Sequence, residues 1–100
     1  MHKTLMFIGA GKFQLPGIIR AREMGLKTVV IDRDPKAPGL EIADVPLETD
    51  IVDIDSAIKI ARKHEIDGVL TIASDIALPT VSAVADAPGF ANQLLTKTGL

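Results

Sequence analysis

One hundred residues suffice for one small core but not for a dinucleotide-binding domain plus a substrate domain, so chemistry that needs two domains must borrow the second. A net charge of −2, with eleven Lys and Arg scattered along the chain, leaves no basic face for nucleic acid, and no apolar run approaches the roughly eighteen residues of a membrane span. Without cysteine there are no disulfides, thiolate chemistry or Cys-type zinc sites, and the two isolated histidines, His2 and His64, cannot build a metal centre without carboxylate help.

The apolar residues, 47% of the chain, are mostly Ile, Val, Leu and Ala, with 3% aromatics. That usage suits an aliphatic core around a parallel sheet buried on both faces. The expected fold is α/β: a Rossmann-like, three-layer arrangement with a short parallel sheet of about four strands flanked by helices. The N-terminus enters a strand at once without a signal-peptide pattern, so a cytoplasmic protein is expected.

Residues 3–8, continuously apolar from Leu5, read as a central first strand. The turn Gly9-Ala10-Gly11-Lys12-Phe13-Gln14 follows, then a helix to Gly25, and a second strand Thr28-Val29-Val30-Ile31 closed by Asp32. Glycines in such a turn permit close approach by a ligand, and the free N–H groups at the following helix start receive an anion. An acidic residue about twenty positions on is where such units meet a ribose hydroxyl. The fingerprint is incomplete, because Gln14 stands where the third glycine belongs; Gly17, one turn later, is expected to take over its packing role. Lys12 is read either as a partner for phosphate or carboxylate, or as solvated.

Pro16 fits the first turn of this helix, which should bury Leu15, Ile18 and Ile19, with Arg22 interrupting that face and Gly25 as a left-handed C-cap. Residues 33–39, Arg33-Asp34-Pro35-Lys36-Ala37-Pro38-Gly39, read as a charged, proline-rich loop at the ligand side of the sheet or as a plain solvated turn. Val45-Pro46-Leu47-Glu48 is a third strand whose proline points to an edge.

Asp53 or Asp55 caps the next helix, with Ile54, Ala57, Ile58 and Ala61 on one stripe and Ile60 off it. His64, late in that helix, is expected to face solvent and favour the negative helix end. Ile66-Asp67-Gly68 turns into a fourth strand, Val69-Leu70-Thr71-Ile72, at βαβ spacing. Ser74-Asp75 follows on the same edge as the glycine loop, either capping the next helix or meeting a ligand. That helix should turn Ala77, Leu78, Val81, Val84 and Ala85 inward, with Pro79 admissible only in its first turn. Residues 1–86 form the core of a single domain spanning 1–100, and 87–100 form a weakly helical or irregular tail after the breaker Asp86-Ala87-Pro88-Gly89-Phe90.

With the glycine loop, the 32–39 segment, Ala43-Asp44, Ile66-Asp67-Gly68-Val69-Leu70-Thr71 and Ser74-Asp75 in this order, residues 3–85 resemble the pre-ATP-grasp domain of the ATP-grasp superfamily. The resemblance is to carbamoyl-phosphate-synthase-like proteins and carboxylate–amine ligases, and more distantly to biotin carboxylase and the purine-pathway ATP-grasp enzymes. It implies an N-terminal substrate-side domain of an ATP-dependent ligase, with ATP and Mg²⁺ bound mainly by later domains absent here. It further implies that Gly9, Ala10, Gly11, Lys12, Gln14, Asp32, Arg33, Ser74 and Asp75 line one wall of a substrate cleft. The tail departs from the family pattern.

No nucleophile–base pair is evident, so no catalytic residue is assigned and the chain alone is expected to be inactive. Three readings follow: a ligase module taking a small-molecule substrate, whose ATP-grasp domains are on a separate chain or have been lost or cut away; a stand-alone binder of a nucleotide or phosphorylated metabolite; and an interaction domain, expected to form homo-oligomers through an uncovered apolar face. A NAD-dependent oxidoreductase ranks lower, for want of the third glycine and of the second half of the fold.

Overall fold

The computed structural model describes residues 3–72 and 74–87. Four parallel strands, β1 (Thr4–Ile8), β2 (Lys27–Asp32), β3 (Val45–Glu48) and β4 (Gly68–Leu70), lie in the order β3-β2-β1-β4. Helices α1 (Leu15–Glu23), α2 (Pro38–Ile42), α3 (Ile54–Lys63) and α4 (Leu78–Asp86) cover both faces, giving the expected three-layer α/β architecture.

Side-chain alternation explains the two-sided core. Phe7 and Val30 point to one face and pack with Ile18 and Ala21 of α1 and Leu40 of α2. Met6, Ile8, Val29 and Ile31 point to the other, against Ala57 and Ala61 of α3 and Val81, Val84 and Ala85 of α4. Strands buried on both faces need no polar alternation, which is why their sequence reads as continuous apolar runs.

The chain pairs outward from β1 to β2 to β3, then crosses back so that β4 pairs with the other side of β1. The direction of winding therefore reverses between β1 and β4. In open parallel sheets the crevice outside the carboxyl ends of two such strands is the usual ligand position.

Several local expectations hold. Gly25 ends α1 at φ +81°, β3 is an edge strand with Pro46 in it, Pro79 lies in the first turn of α4, and the Asp53 side chain accepts from Ser56 N. Gly17 also takes the close-packing role, since a Cβ there would meet the Ile72 side chain and lie 3.4 Å from the Phe7 ring.

Others are corrected. Ile19 and Leu78 are exposed, because α1 buries the narrower Ile18/Ala21 stripe and Leu78 sits at the α4 start, outside its Val81/Val84/Ala85 face. Ile60 packs against the α3/α4-side core instead of lying off it. The 33–39 loop contains the start of helix α2, held by the bond from Gly39 N to Ala10 O at 2.7 Å and by burial of Leu40. His64, the C-cap of α3, is half-buried; burial pushes its imidazole below the ordinary value, and the nearby Lys63 and Lys27 charges act in the same direction. The expected tail, from residue 88 on, and the His2 terminus lie outside the described residues.

Candidate functional site

The site is built from the carboxyl ends of the strands. Gly9 follows β1 at φ +108°, a conformation glycine adopts without a Cβ penalty, and its amide donates to Ile31 O at the end of β2. Asp32 continues the brace: Oδ2 accepts from Ala10 N at 2.9 Å and Oδ1 from Asp34 N at 2.9 Å. Its first task is therefore to hold the glycine loop against the 33–34 turn. Beyond it, among the described residues, the amides of Gly11, Lys12 and Phe13 have no intramolecular acceptor. Three unpaired donors just before α1 are the arrangement that receives an anion.

A cavity of about 210 Å³ opens here, lined by Gly9, Gly11, Lys12, Phe13, Gln14, Asp32, Ile51, Ile72 and Ser74. It brings together six of the nine sequence-assigned residues. Ala10 is fully buried beneath the loop, while Arg33 is exposed and faces Asp50 at 3.9 Å. Asp75 is an exposed residue of the 3-10 turn Asp75–Ala77 that precedes α4. Ser74 precedes that turn without a side-chain capping bond, so capping does not account for it.

Gln14 lies at the cavity wall but only 4% exposed, with its amide spent on the end of β4. Sequence reasoning missed Phe13, Ile51 and Ile72. Phe13 was visible as an aromatic inside a glycine loop, and its ring lies 5.4 Å from Lys12 Nζ. Ile51 and Ile72 carried no signal: β3 and β4 lie at opposite edges of the sheet, and the segment after β3 reaches the cavity by crossing to α4, where Ile51 O accepts from Thr80 Oγ1.

A larger cavity, about 320 Å³, lies at the amino-end side near Arg22, Lys27 and Asp44. Two of its charged groups are already matched: Asp44 holds Thr28 N and Oγ1, and Arg22 donates to Ile42 O and pairs with Asp44. It has no unpaired backbone donors comparable to those of the glycine loop. No group of three or more His, Cys, Asp or Glu that could hold a metal ion occurs among the described residues, nor does any helix long and apolar enough to cross a membrane.

No family model matches the chain. Six curated proteins do, each a formate-dependent phosphoribosylglycinamide formyltransferase. That of Synechococcus sp. CC9605 is 26% identical over 83 residues, 83% of this chain and 19% of the relative. That of Sulfolobus acidocaldarius is 32% identical over 82 residues, 82% of this chain and 21% of the relative. Among solved structures, phosphoribosylglycinamide synthetase from Anaerococcus prevotii superposes with a TM-score of 0.76 at 26% identity, over 87% of this chain and 22% of that one. The chain is related to the ATP-grasp superfamily through its pre-ATP-grasp domain. It spans about a fifth of the length of these relatives. These curated relatives are phosphoribosylglycinamide formyltransferases, whereas the nearer resemblance was expected to carbamoyl-phosphate-synthase-like proteins and carboxylate–amine ligases. Within this pre-ATP-grasp domain, the glycine loop and the Ser74 segment flank the switch point between β1 and β4.

Proposed function

We propose that this chain is the substrate-side, N-terminal domain of an ATP-dependent ligase, and that the cavity at the β1/β4 switch point forms one wall of its substrate cleft. The observation that carries this reading is the coincidence, in one cavity, of unpaired loop amides, the Lys12 ammonium and an apolar floor from Ile51 and Ile72. That combination suits a small molecule with a phosphate or carboxylate at one end. The relatives name phosphoribosylglycinamide, and we take a phosphorylated ribosyl amine as the first ligand to try. Lys12 and the amides would receive the anion. ATP and Mg²⁺ would be held mainly by ATP-grasp domains, on the same or a separate chain. We place the protein in the cytoplasm, in keeping with a cysteine-free chain and a metabolic substrate.

A second reading is favoured by one observation. Phe13, Val52, Ile76 and Leu78 are exposed, 51–65%, and each belongs to the cavity or lies within four residues of a cavity residue. This apolar rim suits coverage by another protein surface, whether ATP-grasp domains or a second copy.

The test is an NMR titration of the 100-residue chain with phosphoribosylglycinamide, and separately with ATP and Mg²⁺. Saturable shifts centred on Gly9–Gln14, Asp32 and Ser74 are expected with the first. Gly11→Val should abolish them without unfolding the chain, because a Cβ at Gly11 would meet nothing within 4 Å. Shifts confined to the Arg22/Asp44 region, or none with either ligand, would remove the substrate-wall reading.

A further inference from the structure

We propose that Gln14 is a positioning residue: its side-chain amide replaces a strand residue at the switch point and locks the glycine loop to the exit of β4. The proposal rests on reading the switch-point cavity as the binding site, because the two segments it joins are the two walls of that cavity.

The backbone ladder between β1 and β4 runs from Leu5↔Gly68 to Phe7↔Leu70 and then stops, because Gly9 turns the chain away. Thr71 and Ile72 continue beyond it. The Gln14 amide meets both backbone groups of Ile72, Oε1 accepting from Ile72 N at 2.9 Å and Nε2 donating to Ile72 O at 2.6 Å. This two-bond ring is the exchange that a residue of an antiparallel neighbour would make through its own N–H and C=O, supplied here by one side chain at the end of a parallel ladder. The second Nε2 hydrogen goes to Thr71 Oγ1 at 3.0 Å, and that hydroxyl donates onward to Ile8 O at 2.8 Å.

Donor directions fix the amide orientation. Thr71 Oγ1 spends its one hydrogen on Ile8 O, so it must accept from Gln14, and Ile72 O also needs a donor. Only the NH₂ end of an amide satisfies both while the oxygen receives Ile72 N. A carboxylate at 14 would bring an acceptor against two acceptors, whereas its protonated form restores one donor. Gly9, required by its φ of +108°, lies directly beside this side chain: a Cβ there would sit in contact at 3.4 Å from Nε2. The residue that breaks the glycine fingerprint thereby ties the loop carrying Lys12 to the segment that leads into Ser74.

The experiment follows amide exchange and ¹H–¹⁵N shifts in the full chain for wild type, Gln14→Glu, Gln14→Met and Thr71→Val. At pH 7 the Ile72 protection factor should fall on the order of tenfold or more in Gln14→Glu and Gln14→Met. On acidification Gln14→Glu alone should recover it, and the Gly9–Phe13 and Ser74 resonances should move along the same titration curve. The affinity of the Glu variant for phosphoribosylglycinamide should track that curve too. Unchanged Ile72 protection, or a loss confined to Ile72 while the loop and Ser74 stay fixed, would overturn the latch. Should Gln14→Glu fail to fold, Thr71→Val decides, because it removes the hydroxyl that joins Gln14 Nε2 to Ile8 O while leaving both Ile72 bonds in place: coupled shifts in loop and Ser74 support the latch, and shifts in neither refute it. If wild type binds no ligand, the substrate-wall reading fails, while protection and shift coupling still decide the role of Gln14.

Discussion

Single polar side chains do much of the joining in this small domain. Asp44, after α2, receives Thr28 N at 2.8 Å and exchanges hydrogen bonds with the Thr28 hydroxyl, which is completely buried on β2. Asp44→Ala would strand the Thr28 amide and leave the Thr28 hydroxyl hydrogen without its acceptor, so a loss of about 1–3 kcal/mol is expected in urea denaturation. A change within 0.5 kcal/mol (roughly the ordinary surface effect) would refute that role. The same bonds set a pH dependence. The Thr28 amide, chiefly, holds the Asp44 carboxyl below its ordinary value against the opposing effect of burial, with the Thr28 hydroxyl, Arg22 and Lys27 assisting. A depressed carboxylate stabilises the fold above its unfolded value of 3.8 and loses that contribution as pH falls through the folded one. Acid unfolding of Asp44→Asn should therefore be less steep below pH 4 (roughly) than that of wild type. Gln14 belongs to this scale as well. Its break in the glycine pattern was visible in the sequence, but its partners Thr71 and Ile72 lie 57 and 58 residues away, and no local pattern names them.

Helix ends show which elements were legible. In α1 and α3 alike, the second residue after the cap donates back to the helix, Leu26 N to Ala21 O and Ile66 N to Ala61 O, and the residue between is left-handed. In α1 that residue is Gly25, so the stop could be read in advance; in α3 it is Glu65 at φ +50°, and nothing in the sequence marked it. Glu65 pays for a conformation that glycine adopts without strain. Glu65→Gly is expected to leave the fold unchanged and raise stability by up to about 1 kcal/mol in urea melts, with the gain confined to this helix end. A loss of stability would mean that the exposed Glu65 side chain makes a compensating contact. The long strands were legible because burial on both faces makes a continuous apolar run, and the α3 stripe because burial on one helix face imposes a period. Helix α2 was not, because its five residues begin with the turn pair Pro38-Gly39 and are held by tertiary contacts: Gly39 N on Ala10 O, and a glycine where a Cβ would lie 2.8 Å from that same oxygen. The end of β4 was misread for the complementary reason, since Thr71 and Ile72 look like strand residues but pair with a side chain.

For the whole molecule, the sheet order decides what the surface is for. All four strand ends carry their loops to one edge, and that edge holds the cavity, the unpaired amides and the exposed apolar side chains Phe13, Val52, Ile76 and Leu78. The opposite edge holds hydrogen-bonded turns such as Asp67 on Thr4 N and Asp44 on Thr28 N. An isolated chain of this design leaves its apolar rim in water, which favours association through the ligand edge. Sedimentation equilibrium should accordingly show concentration-dependent self-association, weakened in the triple variant Phe13→Ser, Ile76→Ser, Leu78→Ser. Because these side chains are outside the core, the variant's stability should stay within about 0.5 kcal/mol of wild type. Phosphoribosylglycinamide, if it occupies the same edge, should shift the equilibrium toward monomer, since a ligand and a second copy would then compete for one surface. A wild type that stays monomeric at all concentrations, or one whose association ignores the triple substitution, would assign the rim no role in assembly and leave the cavity as the only function of that edge.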